Sequence, residues 1–461
     1  MREKLQKILP EGLIRLANAC KKPLYVIGGT VRDALAGLNL GECSSRDWDI
    51  CSPMSYEEFT AVAISQNCNV KSVFKNTGTV KLQDANGIDY EFSCFRSDRY
   101  VRGTHVPIEI YFTEDITLDA RRRDFTVNAI YYDIAKGEFV DPLGGITAIQ
   151  EKRLTTVAPA KKVFGEDGLR LLRLARQAAQ LGFAPDEECL LGAKQNAALI
   201  KDISPERILT ELNALLTADL KYGVTDGHYR GLKLLDETGV LDYILPELTL
   251  GRNLTQRADF HKYDVLEHSL RAALYAPPTL RFAALLHDVG KPYCKQRDGN
   301  SYEHHREGER LATEILFRLK VSNKQLERIP ALIKWHMHDF NCQTSEKKLR
   351  RFFVEHYELL DDLLLLKQAD FSACMDDLSV APTCARWKEL LNRMKAEKVP
   401  FNLKELAVNG KDILQLGILP RLVSSVLHEL LMHTALYPMD NTPQKLTRLA
   451  LGIAKSLQTN P

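Results

Sequence analysis

The chain has ten cysteines in 461 residues but no C-x-x-C pair. That spacing excludes the usual zinc clasp and gives no disulfide framework, so reduced thiols are expected. There is no apolar run long enough to cross a bilayer, and the first residues, MREKLQKILPEGL, have no signal-peptide core. The expectation is a cytoplasmic protein with no membrane partner. Neither sign of charge is in excess, since 62 Lys and Arg against 60 Asp and Glu leave a formal net charge of +2. This rules out attraction of the whole molecule to nucleic acid, so any RNA contact must come from local basic patches. Internal repeats and low-complexity segments are missing too. What is present, 45% hydrophobic residues and a mean hydropathy of -0.23, is ordinary for a folded chain facing water. Its length exceeds what one hydrophobic core organises and predicts three or four units.

The rest of the chain is organised around Lys22 to Asp49, KPLYVIGGTVRDALAGLNLGECSSRDWD. The apolar run from Leu24 to Ile27 predicts a buried strand that stops at Gly28-Gly29, and Val31 to Ala36 can begin a helix. Two glycines there let the backbone approach a ligand, with the helix N–H groups facing it, which makes a phosphate seat. Further on, Asp47 and Asp49 flank Trp48, and the two-residue period of a strand puts both carboxylates on one face. Such a pair repels itself unless a cation sits between, and Mg2+ takes carboxylates together with substrate phosphates. A metal-dependent reaction on a nucleotide is implied.

Together with Arg32-Asp33, this stretch resembles the GG-x-V-R-D … D-x-D signature of class II tRNA nucleotidyltransferases and bacterial poly(A) polymerases. Residues 24 to about 145 alternate short β-type runs (Val70 to Phe74, Thr79 to Leu82, Tyr90 to Phe95, Ile108 to Phe112) with helical stretches. Beyond the turn-rich Asp141 to Gly145 the period is helical to the end. The fold class is therefore α+β: a small α/β head, polymerase-β-like by resemblance, on a long all-α remainder.

Asp89 and Glu91 in IDYEFSCFR alternate onto one strand face. A third carboxylate beside Asp47 and Asp49 completes a two-metal site; the resemblance favours Glu91, with Asp89 as the alternative. In LDARRRDFTVNAI, arginine forks suit triphosphate oxygens and an aspartate can accept from ribose hydroxyls. RRDFTVNA resembles the family's RRD-x-T-x-N motif, which implies that Arg122 and Arg123 contact phosphate and sugar, Asp124 the ribose, and that Asn128 supports them. Gly28, Gly29 and Arg32 belong to the same nucleotide site. The polar segment with Tyr100, Arg102, Gly103 and His105 resembles the family's flexible loop.

FGEDGLRLLRLAR carries specificity. Glu166 and Asp167 are expected at a helix start, with Asp167 and Arg170 three apart on one face. An acceptor beside a donor matches the amino group and ring nitrogen of cytosine and adenine, whereas uracil and guanine present the reverse. The stretch resembles the family's E-D-x-x-R template motif, and Arg173 matches a further family arginine. In ISPERILTEL, Glu206 and Arg207 are expected to brace this helix.

Seven of the twelve histidines lie between His261 and His338. The order His268, His287-Asp288, Asp370 resembles the HD phosphohydrolase superfamily, with His305 and His336 as extra ligands. Imidazole with carboxylate suits a divalent transition metal such as Ni, Mn, Co or Fe. In the tail, LAVNGKDILQLGILP and Asn441 resemble the same enzymes, although Arg421-Leu422 replaces the Gly-Pro common in relatives. The resemblance implies four domains: head 1–145, neck 146–258, HD domain 259–375, and a tRNA-binding tail 376–461. It implies CCA addition to tRNA from CTP and ATP with Mg2+. The alternatives are poly(A) polymerase, a partial CC-adding or A-adding enzyme, and an HD phosphohydrolase with an RNA-docking head. Gly78-Thr79-Val80-Lys81-Leu82 stands where bacterial poly(A) polymerases carry a basic G-R-R-F-type strand.

Overall fold

A computed structural model describes residues 2–38, 48–100 and 107–459, so Asp47, Arg102, Gly103 and His105 lie outside the described residues. Two compact units are present, residues 1–249 with 318–320, and residues 250–317 with 321–461. The first holds a seven-stranded mixed sheet and the second is helical, so the fold is α+β.

Among the described residues nine strands precede Gly145: β1 Tyr25–Val26, β2 Trp48–Ser52, β3 Asn69–Phe74, β4 Thr79–Gln83, β5 Asp89–Cys94, β6 Arg96–Arg99, β7 Glu109–Phe112, β8 Tyr131–Asp133 and β9 Glu138–Val140. The sheet order is β3-β4-β5-β2-β1-β8-β9, with β6 and β7 forming a separate hairpin. Alternation in β5 is clean. Tyr90, Phe92 and Cys94 are buried, and Phe92 stacks on Phe59 of the helix Tyr56–Ser65 with ring centroids 3.7 Å apart, while Asp89 and Glu91 face out. Helix Tyr56–Ser65 begins with a reciprocal cap between Ser55 and Glu58, which fixes where the chain leaves the sheet.

The strands expected between Val70 and Phe112 are present. Strands β8 and β9 were not legible, because all three residues of β8 are buried and show no alternation. Beyond Gly145 the all-helical expectation needs one correction, since Arg153–Leu154 pairs in parallel with Ala184–Pro185. The Asp141 to Gly145 segment is a packed turn. Asp141 accepts from the backbone N–H groups of Gly145 and Ile146, both at 2.8 Å, and a Cβ on Gly145 would meet the Thr126 carbonyl at 2.2 Å.

In the second unit, helix Val265–Tyr275 packs on Leu360–Met375 and on Arg281–Leu286. Gly290 permits one close approach. A Cβ there would lie 2.2 Å from the His304 carbonyl, so only glycine lets the helix His304–Arg318 come in beside the His287-Asp288 pair. No helix among the described residues is long and apolar enough to cross a membrane.

Candidate functional site

Strands β2 and β5 run parallel with Asp49 opposite Glu91, so two exposed carboxylates stand on neighbouring strands of one face. Gly28, at φ 79, precedes the helix Gly29–Leu35, and a Cβ on it would be 3.2 Å from Asp49 Oδ2. The glycine thus gives both the left-handed turn and the space that brings the backbone against the carboxylate. Glu91 pairs with Lys81 at 2.9 Å, and Asp89 with Lys71 at 2.5 Å. These lysines offset the charge of the acidic face.

A polar cavity of about 480 Å³ opens beside this face. Gly28, Gly29 and Asp49 line one part of it, Arg122, Arg123, Asp124 and Asn128 another, and Asp167, Arg170 and Arg173 a third. The sequence-predicted nucleotide residues therefore converge. Arg32 also lines the cavity but is heavily committed. It is 6% exposed, and its guanidinium binds Asp33 at 2.6 Å, Asn128 Oδ1 at 2.8 Å and the Tyr222 hydroxyl at 3.3 Å. Asn128 in turn donates to Asp124 and Gln177, both at 3.0 Å, and Asp124 pairs with Arg173 at 3.2 Å. Burial opposes ionisation of Asp124, but Arg173 and the amide of Asn128 outweigh it and keep the carboxyl below its ordinary range.

Asp119 was missed by sequence reading. Fully buried, it accepts from Arg122 Nε at 2.7 Å, Arg123 Nη2 at 2.9 Å and the Tyr131 hydroxyl at 2.7 Å. It sits three and four residues before the two arginines, a helical spacing that could have disclosed it. Burial would raise its pKa, yet the guanidinium groups of Arg123 and Arg122 hold it well below the usual carboxylate range. Its stabilisation is therefore complete above the unfolded carboxylate value of ~3.9 and is lost as pH falls toward the depressed folded value. Asp119→Ala is expected to cost about 3 kcal/mol in urea unfolding at neutral pH, because two part-buried guanidinium groups lose the fully buried carboxylate that holds them. A loss under ~1 kcal/mol would contradict this role.

The reading segment departs from expectation. Glu166 ends the helix Ala160–Glu166 and so is not at a helix start, whereas Asp167 stands just before the next helix, Leu169–Leu181, where its carbonyl accepts from Arg170 N at 3.1 Å, rather than on a helical face shared with Arg170. The break falls at Gly168, where a Cβ would meet the Leu199 carbonyl at 2.5 Å. Asp167 Oδ1 accepts from Leu169 N at 3.0 Å, while Oδ2 lies 3.9 Å from Arg207. Arg170 is 5% exposed and donates to the Val163 carbonyl, to Glu166 and to the Arg122 carbonyl. Five donors on a guanidinium leave two for a ligand. The helix carrying Arg170 is braced by Glu211, which binds Arg173 at 3.5 Å and Arg176 at 2.5 Å; Glu206 pairs instead with Lys320 at 2.6 Å.

A second centre lies in the helical unit. His268 Nε2 and His287 Nε2 are 3.2 Å apart; each is 3.3 Å from Asp288 Oδ2, and they lie 3.0 and 3.3 Å from Asp370 Oδ1. Across the same carboxylate, Asp288 Oδ1 faces His304 Nε2 at 3.2 Å and His336 Nε2 at 3.8 Å. The extra histidine is thus His304, not His305 as expected. The helix begins at His304 and points that ring inward, while His305 is half-buried beside it. Nδ1 of His287, His304 and His336 each meets a backbone carbonyl at 2.6–2.7 Å, which leaves Nε2 of all three turned to the centre, the arrangement a metal-ligating imidazole needs. Burial keeps His336 neutral and so available as a ligand. Lys367, its pKa pushed down to about 8 by burial, donates to the carbonyls of His336 and His338 and fixes that turn. The donor set, imidazole nitrogens around the buried carboxylate of Asp288 and the part-buried one of Asp370, fits a divalent transition metal.

The Poly A polymerase head domain profile matches residues 24–155, the "Probable RNA and SrmB- binding site of polymerase A" matches 182–250, and the HD domain matches 263–353. A CCA-adding enzyme of Geobacillus sp. is 35% identical over 267 residues, 58% of this chain and 61% of its own. The crystal structure of the Bacillus stearothermophilus CCA-adding enzyme in complex with CTP superposes with a TM-score of 0.65 at 24% identity, covering 98% of this chain and 100% of that one, which supports the fold. The A-adding tRNA nucleotidyltransferase of Deinococcus radiodurans is 31% identical over 419 residues, 86% of this chain and 87% of its own. Identity sustained over nearly the whole of both chains reflects common descent, and this chain belongs to the tRNA nucleotidyltransferase family.

Proposed function

We propose that the protein adds C, C and A to the tRNA 3′ end, using CTP and ATP and no nucleic-acid template, in the cytoplasm. One observation carries the reading: Asp49, which stands in register with Glu91, lines one cavity together with the arginine pair and with Asp167 and Arg170. Asp47, Asp49 and Glu91 are the residues that would hold Mg2+, which when bound activates the attacking hydroxyl and clamps the triphosphate. Glu91 is preferred over Asp89 because it stands in register with Asp49. The backbone at Gly28-Gly29 and the forks of Arg122 and Arg123 take phosphate oxygens, and Asp124, held by Asn128 and Arg173, accepts from the ribose. Asp167 Oδ2 and the two remaining donors of Arg170 face the base edge. Residues 1–145, 146–258, 259–375 and 376–461 serve as head, neck, HD domain and tRNA-binding tail.

A-only addition is the second reading, favoured by the A-adding relative matched over nearly full length. Two acceptors separate them. A tRNA lacking all three terminal nucleotides should be extended by the CCA-adding enzyme, whereas an A-adding enzyme would act only on tRNA already ending in CC.

For the HD centre we propose hydrolysis of 2′,3′-cyclic or terminal phosphates. His268, His287, Asp288 and Asp370 would hold one divalent Ni, Mn, Co or Fe ion, and Asp288, His304 and His336 a second. Such ions lower the pKa of bound water and so supply a nucleophile at neutral pH. With Ni2+, Mn2+ or Co2+ the wild type should release phosphate, and the His287→Ala, Asp288→Ala double mutant should not, while CCA addition continues. His304→Ala should lower the bound metal measured by elemental analysis, and unchanged metal content would remove that residue from the ligand set.

A further inference from the structure

Tyr222 ends the short helix Ala218–Tyr222 and reaches the Arg32-Asp33 pair 189 residues earlier in the chain. Its hydroxyl donates to Asp33 Oδ2 at 2.5 Å and accepts from Arg32 Nη2 at 3.3 Å. The oxygens of Asp33 are thereby divided, with Oδ1 taking Arg32 at 2.6 Å and Oδ2 taking the phenol. Arg32 keeps its Nη1 for Asn128 at 2.8 Å, and Asn128 holds Asp124 at 3.0 Å. A line of bonds, most of them charge-assisted, therefore runs from Tyr222 to the carboxylate that faces the ribose. Arg32 and Asn128 line the cavity, whereas Tyr222 stands behind them.

Loss of the phenol hydroxyl frees Asp33 Oδ2, and a guanidinium offered both oxygens of one carboxylate pairs with them bidentately. Arg32 already presents its Nε and Nη2 edge to Asp33 Oδ1, at 2.8 and 2.6 Å, so this pairing slides that edge toward Oδ2 and shifts Nη1 from its place on Asn128, whose amide then no longer has one fixed orientation toward Asp124. We infer that Tyr222 is a positioning residue for nucleotide binding, acting through Arg32 and Asn128 and affecting CTP and ATP alike. The inference rests on the cavity being the nucleoside triphosphate site.

The test is Tyr222→Phe in the full chain, which removes one oxygen and keeps the ring. KM for CTP and for ATP should rise about tenfold together, as expected for losing a hydrogen bond to charged groups, with kcat within about twofold. The KM for tRNA and the urea midpoint should stay near wild type, since a merely structural role would move the midpoint and leave the nucleotide KM in place. In a double-mutant cycle, Asp33→Asn should add little to Tyr222→Phe, because both break the same link. Equilibrium titration with CTP separates two kinds of failure. Wild type that does not bind CTP overturns the nucleotide reading and this inference with it, whereas wild type that binds CTP no more tightly than Tyr222→Phe overturns the role of Tyr222 alone.

Discussion

Asp49→Ala is expected to abolish nucleotide addition while leaving the fold in place. Its side chain is exposed, so removing it should shift unfolding by no more than ~0.5 kcal/mol. The same oxygen lies against Gly28 and shares a sheet face with Glu91, where it would hold metal in the transition state. Loss of a metal carboxylate should remove at least about 3 kcal/mol of transition-state stabilisation, more than a hundredfold in rate. Asp47→Ala should behave alike. Single-turnover addition of one cytidine to tRNA reads the effect directly. Rates near wild type from either variant would show that the acidic face is not the catalytic one.

The second large effect concerns which bases enter. Asp167 Oδ1 is already engaged by Leu169 N, so Oδ2 is the atom left to face a base. Against it uracil brings a carbonyl oxygen where cytosine brings an amino group, and its N3–H meets an arginine donor. Each buried mismatch costs on the order of 1–3 kcal/mol, more when one partner is charged, so UTP and GTP should be rejected by orders of magnitude. Asp167→Asn keeps the carbonyl for Leu169 and turns an amide N–H₂ to the base, and so should relax the exclusion of UTP. Arg170→Ala should weaken CTP and ATP together. It should also destabilise the neck, because the carbonyls of Val163 and Arg122 lose their donor. Steady-state incorporation of all four nucleotides by the three proteins is the measurement. If Asp167→Asn uses CTP but excludes UTP as strictly as wild type, base selection resides in other side chains of the neck.

Much of this site was readable because its chemistry is local. Gly28-Gly29, the Asp49 strand and the RRD run each keep their meaning within a few residues, and alternation put Asp89 and Glu91 on one strand face, with the resemblance favouring Glu91. Long-range partners were not readable. Nothing near Tyr222 or Glu211 announces a contact with Arg32 or Arg173, since those pairings are set by how helices pack. The helix break at Gly168 was hidden for a related reason. It follows from the approach of the Leu199 carbonyl, which only the tertiary structure reveals. Likewise His304 and His305 are equivalent on paper, and the choice between them is made where the helix begins beside Gly290.

One measurement bears on the central claim most directly. The purified protein is given tRNA ending before CCA together with all four nucleoside triphosphates at equal concentration, and the 3′ ends of the products are sequenced. The account predicts termini of C, then CC, then CCA, with extension stopping there and no U or G added. A run of adenosines would identify a poly(A) polymerase, and unchanged tRNA ends alongside active phosphate release would leave only the HD centre; either outcome contradicts the proposal.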